Sequence, residues 1–341
     1  MRSRRFLDAC RGLPVDTTPI WIMRQAGRYL PEYRATRTRA KDFLTLCKTP
    51  ELACEVTLQP VDLIGVDAAI LFSDILIVLE AMGIPLTFSE GEGPRLEPVR
   101  DAQAIDKLVD VDAQRDLGYT MDAIRLIVRA LDGRVPLIGF AGAPWTLFTY
   151  AVEGKTSKDF ARSRRMLFEA PTVAHALLAK ITDAVVKLLV AEVAAGAQAV
   201  QLFDSWAGAL GPEEFRTFAL PYVKRVREAL RPSGVPFIYF CNQGAALLGE
   251  LAPVEADVIG VDFRTPLDEA RLFIGGDPVL QGNLDPAVLY APHDVIERRA
   301  TDVIERGGAR HIFNLGHGIQ PDTPVEAARA LVEIVHRVGA R

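Results

Sequence analysis

Residues 198–243 read QAVQLFDSWAGALGPEEFRTFALPYVKRVREALRPSGVPFIYFCNQ. The apolar run 198–203 predicts a strand that ends on Asp204 and Ser205. Pro212 then suits the first turn of a helix reaching Leu230. A second apolar run, 235–240, predicts another strand and ends on Cys241, Asn242 and Gln243. Both runs are continuous rather than alternating, as expected of strands covered on both faces. Strand, helix and strand in this order form the repeating unit of a parallel sheet.

The same cadence extends in both directions. Downstream, 258–261 precedes Asp262, 279–282 precedes Asn283 and Asp285, and 311–315 precedes Gly316, His317 and Gly318, before a helix over 324–338. Upstream, 135–140 runs into Gly142 and a helical stretch holding Tyr150, and a helical pair broken at Pro171 spans 158–195. The run 66–72 ends at Ser73 and Asp74, and PIWIM at 19–23 ends at Arg24. Helices are expected over 50–64, with Thr49 as cap, up to Met82, over 105–109 and over 114–131. PLTFSEGEGPRLEPV at 85–99 reads as a hairpin insertion centred on Gly91, Glu92 and Gly93. Eight strand candidates with covering helices predict a single α/β domain over 1–341, a (β/α)₈ TIM-type barrel with a hairpin insertion near 85–100. An open doubly wound sheet is the competitor, but no GxGxxG follows the first strand and no GxxxxGK[ST] occurs.

Composition excludes several classes. The chain has 341 residues, 49% of them hydrophobic and 24% charged, which is ordinary for a globular protein. A net charge of −5 argues against nucleic acid or an anionic membrane as partner, so any bound anion must be met by a local cluster of cations. Four cysteines without a CxxC read as free thiols in a reducing compartment. No apolar run reaches 18 residues and no apolar segment backs the basic N-terminus, so a cytoplasmic protein is expected.

In a barrel the polar groups closing each strand share one rim, where barrel enzymes do their chemistry. Each has an alternative reading. Asp74 could cap the next helix, Asp204 and Asp262 could cap or pair with buried arginines, Tyr150 could be core, and Ser205 could be a loop hydroxyl. His317 between two glycines is either a ligand-facing group or part of a phosphate loop. If the chain coils after Met23, the spacing of Arg24 and Arg28 puts both guanidiniums on one face, suited to a ligand with several carboxylates or phosphates. A Ser205–His317–Asp74 triad lacks a G-x-S-x-G elbow, and no H-E-x-x-H or CxxC supports zinc.

MRQAGRYLPEYR (23–34), ILFSDIL (70–76), GFAGAPWTLFTYAVEG (139–154), FDSWAG (203–208), QGNLDP (281–286) and FNLGHG (313–318) together resemble the uroporphyrinogen decarboxylase family of haem and tetrapyrrole biosynthesis. The resemblance implies a homodimeric barrel with the two clefts near the interface. It also implies conversion of uroporphyrinogen III to coproporphyrinogen III, four acetates becoming methyls and four CO₂ leaving, with neither metal nor organic cofactor. Carried over residue by residue, it places Arg24, Gln25, Ala26, Gly27 and Arg28 in a substrate-binding loop. It adds Asp74, Tyr150, Ser205 and His317 to the substrate site, with Asp74, Arg24 and Arg28 catalytic. Phe140 and Phe203 become apolar walls, and Tyr33 stands where an aromatic is usual. An acidic protein taking eight carboxylates needs its own cations, and Arg24, Arg28 and His317 are expected to supply them. A zinc-dependent cobalamin or thiol methyltransferase of the same superfamily and a non-catalytic tetrapyrrole carrier are the alternatives.

Overall fold

Continuous apolar strands separated by helices leave parallel pairing as the economical solution, and that is the arrangement found. The computed structural model describes residues 2–89 and 93–341. One seven-stranded parallel sheet takes the order β1 (Ala69–Ile70), β4 (Leu137–Gly142), β5 (Ala199–Asp204), β6 (Phe237–Cys241), β7 (Val258–Val261), β8 (Val279–Leu284) and β9 (His311–Leu315). A separate antiparallel hairpin pairs β2 (Leu86–Ser89) with β3 (Gly93–Leu96), Leu86 opposite Leu96. The expected insertion is therefore present; the Glu90–Glu92 part of its turn lies outside the described residues. Register keeps the strand ends level: Gly142 lies opposite Phe203, Asp204 opposite Cys241, and Leu284 opposite Leu315.

The barrel closes through the segment Pro19–Met23, which takes the eighth place without becoming a regular strand. Phe313 N donates to the Pro19 carbonyl (2.8 Å), Ile20 bridges Phe313 in parallel, and Asp67 N donates to the Ile20 carbonyl (2.7 Å). The segment's own amides turn mostly to side chains. Ile20 N donates to Asp67 Oδ2 (2.9 Å), Ile22 N to Gln25 Oε1 (3.0 Å) and Met23 N to Asn314 Oδ1 (2.8 Å). Pro19 has no amide to offer. A strand was the right expectation for its place and the wrong one for its bonding, because polar side chains take over the ladder.

Two cores flank the sheet. The lumen holds Trp21, Ile70, Ile138, Ile238, Val258 and Ile312, sealed below by the helix Arg2–Cys10 through Phe6, Ala9 and Cys10. Those three share one face at helical spacing, and fully burying Phe6 contributes roughly 2–3 kcal/mol. Outside, the helix Pro171–Ala195 buries Ala174, Leu177, Leu178, Ile181, Val185, Leu188 and Leu189 against the rest.

Several boundaries differ from expectation. The 212–230 helix is two, Pro212–Phe218 and Leu220–Leu230, because the ring of Pro221 cannot follow an uninterrupted preceding turn. The 105–109 and 114–131 pair becomes Ala102–Asp106, Ala113–Asp116 and Gly118–Leu131, the first two capped by the carboxylates of Asp101 and Asp112. Thr49 holds the N-cap position of Pro50–Leu63 as expected, but its hydroxyl makes no cap bond and donates instead to the Thr45 carbonyl of the preceding helix (2.7 Å).

Candidate active site

The loop after Met23 is built of turns. Gln25 N donates to the Ile22 carbonyl (2.8 Å) and Arg24 adopts φ 63°, so the next helix begins only at Pro31. The helical spacing argument for Arg24 and Arg28 therefore fails. Gln25 is buried with its Oε1 on Ile22 N and its Nε2 on the Ala68 carbonyl (3.1 Å), which ties the loop to β1. Ala26 and Gly27 are half-buried beside it. Arg24 and Arg28 are exposed, and among the described residues neither forms an ion pair.

Their charges act on different neighbours. Arg24 lays its stem over Gly318, where a Cβ would sit 2.4 Å from Arg24 Cδ, and its charge acts on Asp74, Tyr150 and His317. Arg28 acts on Tyr33 instead, whose phenol burial pushes up to about 12. Gly316 serves the same packing from the other side: a Cβ there would meet Phe263 N at 2.2 Å. The glycines around His317 thus admit the 263 backbone and the Arg24 stem.

Asp74 follows the short β1 and folds back on its own backbone, Oδ1 accepting from Leu76 N (2.8 Å). It is not the cap of the helix Ile77–Ala81, and Oδ2 has no hydrogen bond among the described residues. Burial in the cleft wall raises its pKa to about 6, against the pull of Leu76 N–H and Arg24. It is a carboxylate stripped of much of its water and only partly compensated. Tyr150, half-buried on the helix Pro144–Glu153, faces the same space; burial, then the Asp74 charge, pushes its phenol up to about 12.

His317 departs from expectation. Burial, reinforced by Arg24 and Arg264 and opposed by Asp262, lowers its pKa below 6.5, so it meets the cleft at neutral pH as an uncharged hydrogen-bonding ring rather than a cation. Ser205 follows β5 and is half-buried, its carbonyl accepting from Asn242 Nδ2 (3.0 Å), with no hydrogen bond from its hydroxyl among the described residues. Nor do Ser205, His317 and Asp74 hydrogen-bond one another, so no nucleophilic triad is assembled. Phe140 and Phe203 form an apolar wall, ring centroids 5.6 Å apart.

Asp204 and Asp262 resolve differently from one another. Asp204 is fully buried and accepts from Thr146 and Tyr239 hydroxyls (both 2.7 Å), so its partners are hydroxyls and no arginine; burial lifts its pKa to about 6. Asp262 accepts from Arg264 N (2.8 Å) and pairs loosely with the exposed Arg264 guanidinium (3.4 Å). Arg264, lying over Phe263 and acting on His317, is a rim cation that sequence reasoning missed. Its only signal was its position two residues after the strand-closing Asp262.

Among the described residues no group of three or more His, Cys, Asp or Glu is placed to hold a metal ion. The Cys241 thiol is buried, and burial with the nearby Asp204 and Asp262 raises its pKa far above the usual range. A parallel barrel with polar groups at the C-terminal ends of its strands defines the class: an α/β barrel, a fold whose enzymes work at that rim.

The profile of the uroporphyrinogen decarboxylase (URO-D) family matches residues 1–338. The uroporphyrinogen decarboxylase of Thioalkalivibrio sulfidiphilus is 52% identical over 348 residues, covering 100% of this chain and 99% of that protein. That of Sorangium cellulosum is 52% identical over 337 residues, covering 98% and 96%. The chain belongs to the uroporphyrinogen decarboxylase family. A methyltransferase from Methanosarcina mazei shares the fold, with a TM-score of 0.80 at 21% identity and 98% of each chain covered.

Proposed function

We propose that this protein is a cofactor-independent carboxy-lyase that converts the four acetate side chains of uroporphyrinogen III to methyls, releasing coproporphyrinogen III and four CO₂. The support is the family, at about half identity over the whole chain, together with the state of Asp74. Each decarboxylation consumes one proton. Protonation of a pyrrole carbon makes the ring an electron sink, and the C–C bond to the carboxylate then breaks into it. The exocyclic carbon takes up a proton as the ring gives its own back. The protein has to stabilise the cationic ring and hold the other carboxylates still.

Asp74 suits the first task. Its unused Oδ2 can accept pyrrole N–H groups, and a poorly solvated carboxylate interacts strongly with a cation arriving beside it. Arg24 and Arg28, unpaired within the described chain, suit carboxylates at two separate points of the rim. Tyr150, Ser205 and neutral His317 supply directional hydrogen bonds, with the backbone of Gln25, Ala26 and Gly27 shaping the loop. The family match weighs against the zinc methyltransferase, and the partly compensated Asp74 against a passive carrier. The same reading makes residues 1–341 one domain, places the protein in the cytoplasm and gives it a homodimeric state. The last follows from family membership and is checked by light scattering. No described helix is long and apolar enough to cross a membrane.

The carrying observation is the half-buried Asp74, one oxygen held by Leu76 N and the other without a hydrogen bond among the described residues. The test is an anaerobic assay with enzymatically generated uroporphyrinogen, the porphyrins being oxidised and separated by chromatography. Coproporphyrin from the III isomer with four CO₂ supports the reading; unchanged uroporphyrinogen with stoichiometric bound zinc overturns it.

A further inference from the structure

Trp206 has an indole N–H that is buried and has no acceptor in good hydrogen-bonding geometry. Such a donor costs roughly 1–3 kcal/mol unless something accepts from it, so its surroundings matter. Its backbone is clamped. Trp206 N donates to Thr146 Oγ1 (3.2 Å), which itself donates to Asp204 (2.7 Å), and the Trp206 carbonyl accepts from Trp145 Nε1 (2.9 Å). Its ring lies between two others, Phe160 at 4.9 Å and Tyr150 at 6.1 Å between centroids. With the main chain tied on both sides and Phe160 behind, the indole has little freedom to turn.

We propose that Trp206 is a positioning residue for Tyr150, its indole N–H donating to the Tyr150 hydroxyl oxygen and so directing the phenolic hydrogen toward a substrate carboxylate in the Asp74 cleft. The proposal rests on the assignment of Tyr150 to the site. A phenol can accept one such bond and donate another, so a fixed donor on one side selects where its own hydrogen goes. Burial is the largest influence on the Tyr150 phenol and pushes its pKa up, while Trp206 acts in the opposite direction.

The test is a double-mutant cycle with Trp206→Phe and Tyr150→Phe, with Trp206→His as a second variant that keeps a ring and a donor. Thermal unfolding confirms that each variant is folded. The expected result is a roughly 5–10-fold loss of kcat/KM for Trp206→Phe, carried mainly by KM, which shrinks to under twofold in the Tyr150→Phe background. Trp206→His is expected to recover part of the loss. Equal losses for Trp206→Phe in both backgrounds, or none in either, overturn the positioning role while leaving Tyr150 in the site. Wild-type kinetics for Tyr150→Phe alone overturn the assignment of Tyr150, and the role of Trp206 with it.

Discussion

Replacing Asp74 with Asn keeps the shape of the side chain and an oxygen for Leu76 N at 2.8 Å, but removes the charge. The two consequences have opposite signs. If the carboxylate stabilises a cationic ring in the transition state, its loss lowers kcat by about 10²–10³-fold, the range for removing one preorganised electrostatic partner. Meanwhile the folded protein carries this carboxyl at about 6 rather than 3.8. A folded-state value above the unfolded one means that stability is fully present below about pH 4 and is lost as pH rises through about 6. The gap is worth at most about 3 kcal/mol at neutral pH. Asp74→Asn escapes that penalty, so it is expected to be more stable than the parent at pH 7 and indistinguishable from it below pH 4, as read by urea unfolding. In the anaerobic porphyrin assay, the acid limb of kcat/KM near pH 6 in the parent should vanish in the variant. A variant that turns over at the parental rate, or that is less stable at pH 7, refutes the reasoning.

Gly318→Ala forces a Cβ to 2.4 Å from Arg24 Cδ; KM should rise about tenfold with the fold retained by circular dichroism. Arg28→Ala removes an exposed, unpaired guanidinium, so stability should move by no more than about 0.5 kcal/mol while KM rises, as steady-state kinetics will show. His317 should give the nitrogen NMR signature of a neutral ring at pH 7; a protonated ring there contradicts the lowering by burial, Arg24 and Arg264. Asp204→Ala strands the hydroxyls of Thr146 and Tyr239 and should cost about 2–4 kcal/mol in denaturant unfolding, far more than a surface carboxylate.

The barrel was legible because its strands are buried on both faces and therefore read as unbroken apolar runs; β7 and β9 were placed to the residue. The first segment was read as a strand because its apolar pattern is strand-like, yet Asp67, Gln25 and Asn314 satisfy its amides instead of a regular ladder. Such substitution depends on residues 3 to 291 positions away, and no local pattern carries it. The placement of Asp74 just after β1 was legible from strand position, as was that of Tyr150 on the helix after β4. The charge state of His317 was not, since it is set by burial and by Arg264, a neighbour only in space. The loss of helical spacing between Arg24 and Arg28 follows from the left-handed backbone of Arg24, a conformation a non-glycine residue rarely announces in sequence.

The seam between β9 and Pro19–Met23 joins stretches some three hundred residues apart: Thr18 N also meets the Gly339 carbonyl, and Arg341 N the Asp16 carbonyl. During synthesis, then, the arginine loop emerges long before Asn314, which takes the Met23 amide, and Gly318, which lies under the Arg24 stem. A chain cut short before residue 311 lacks β9 and both of those supports, while keeping the ties through Asp67 and Ala68.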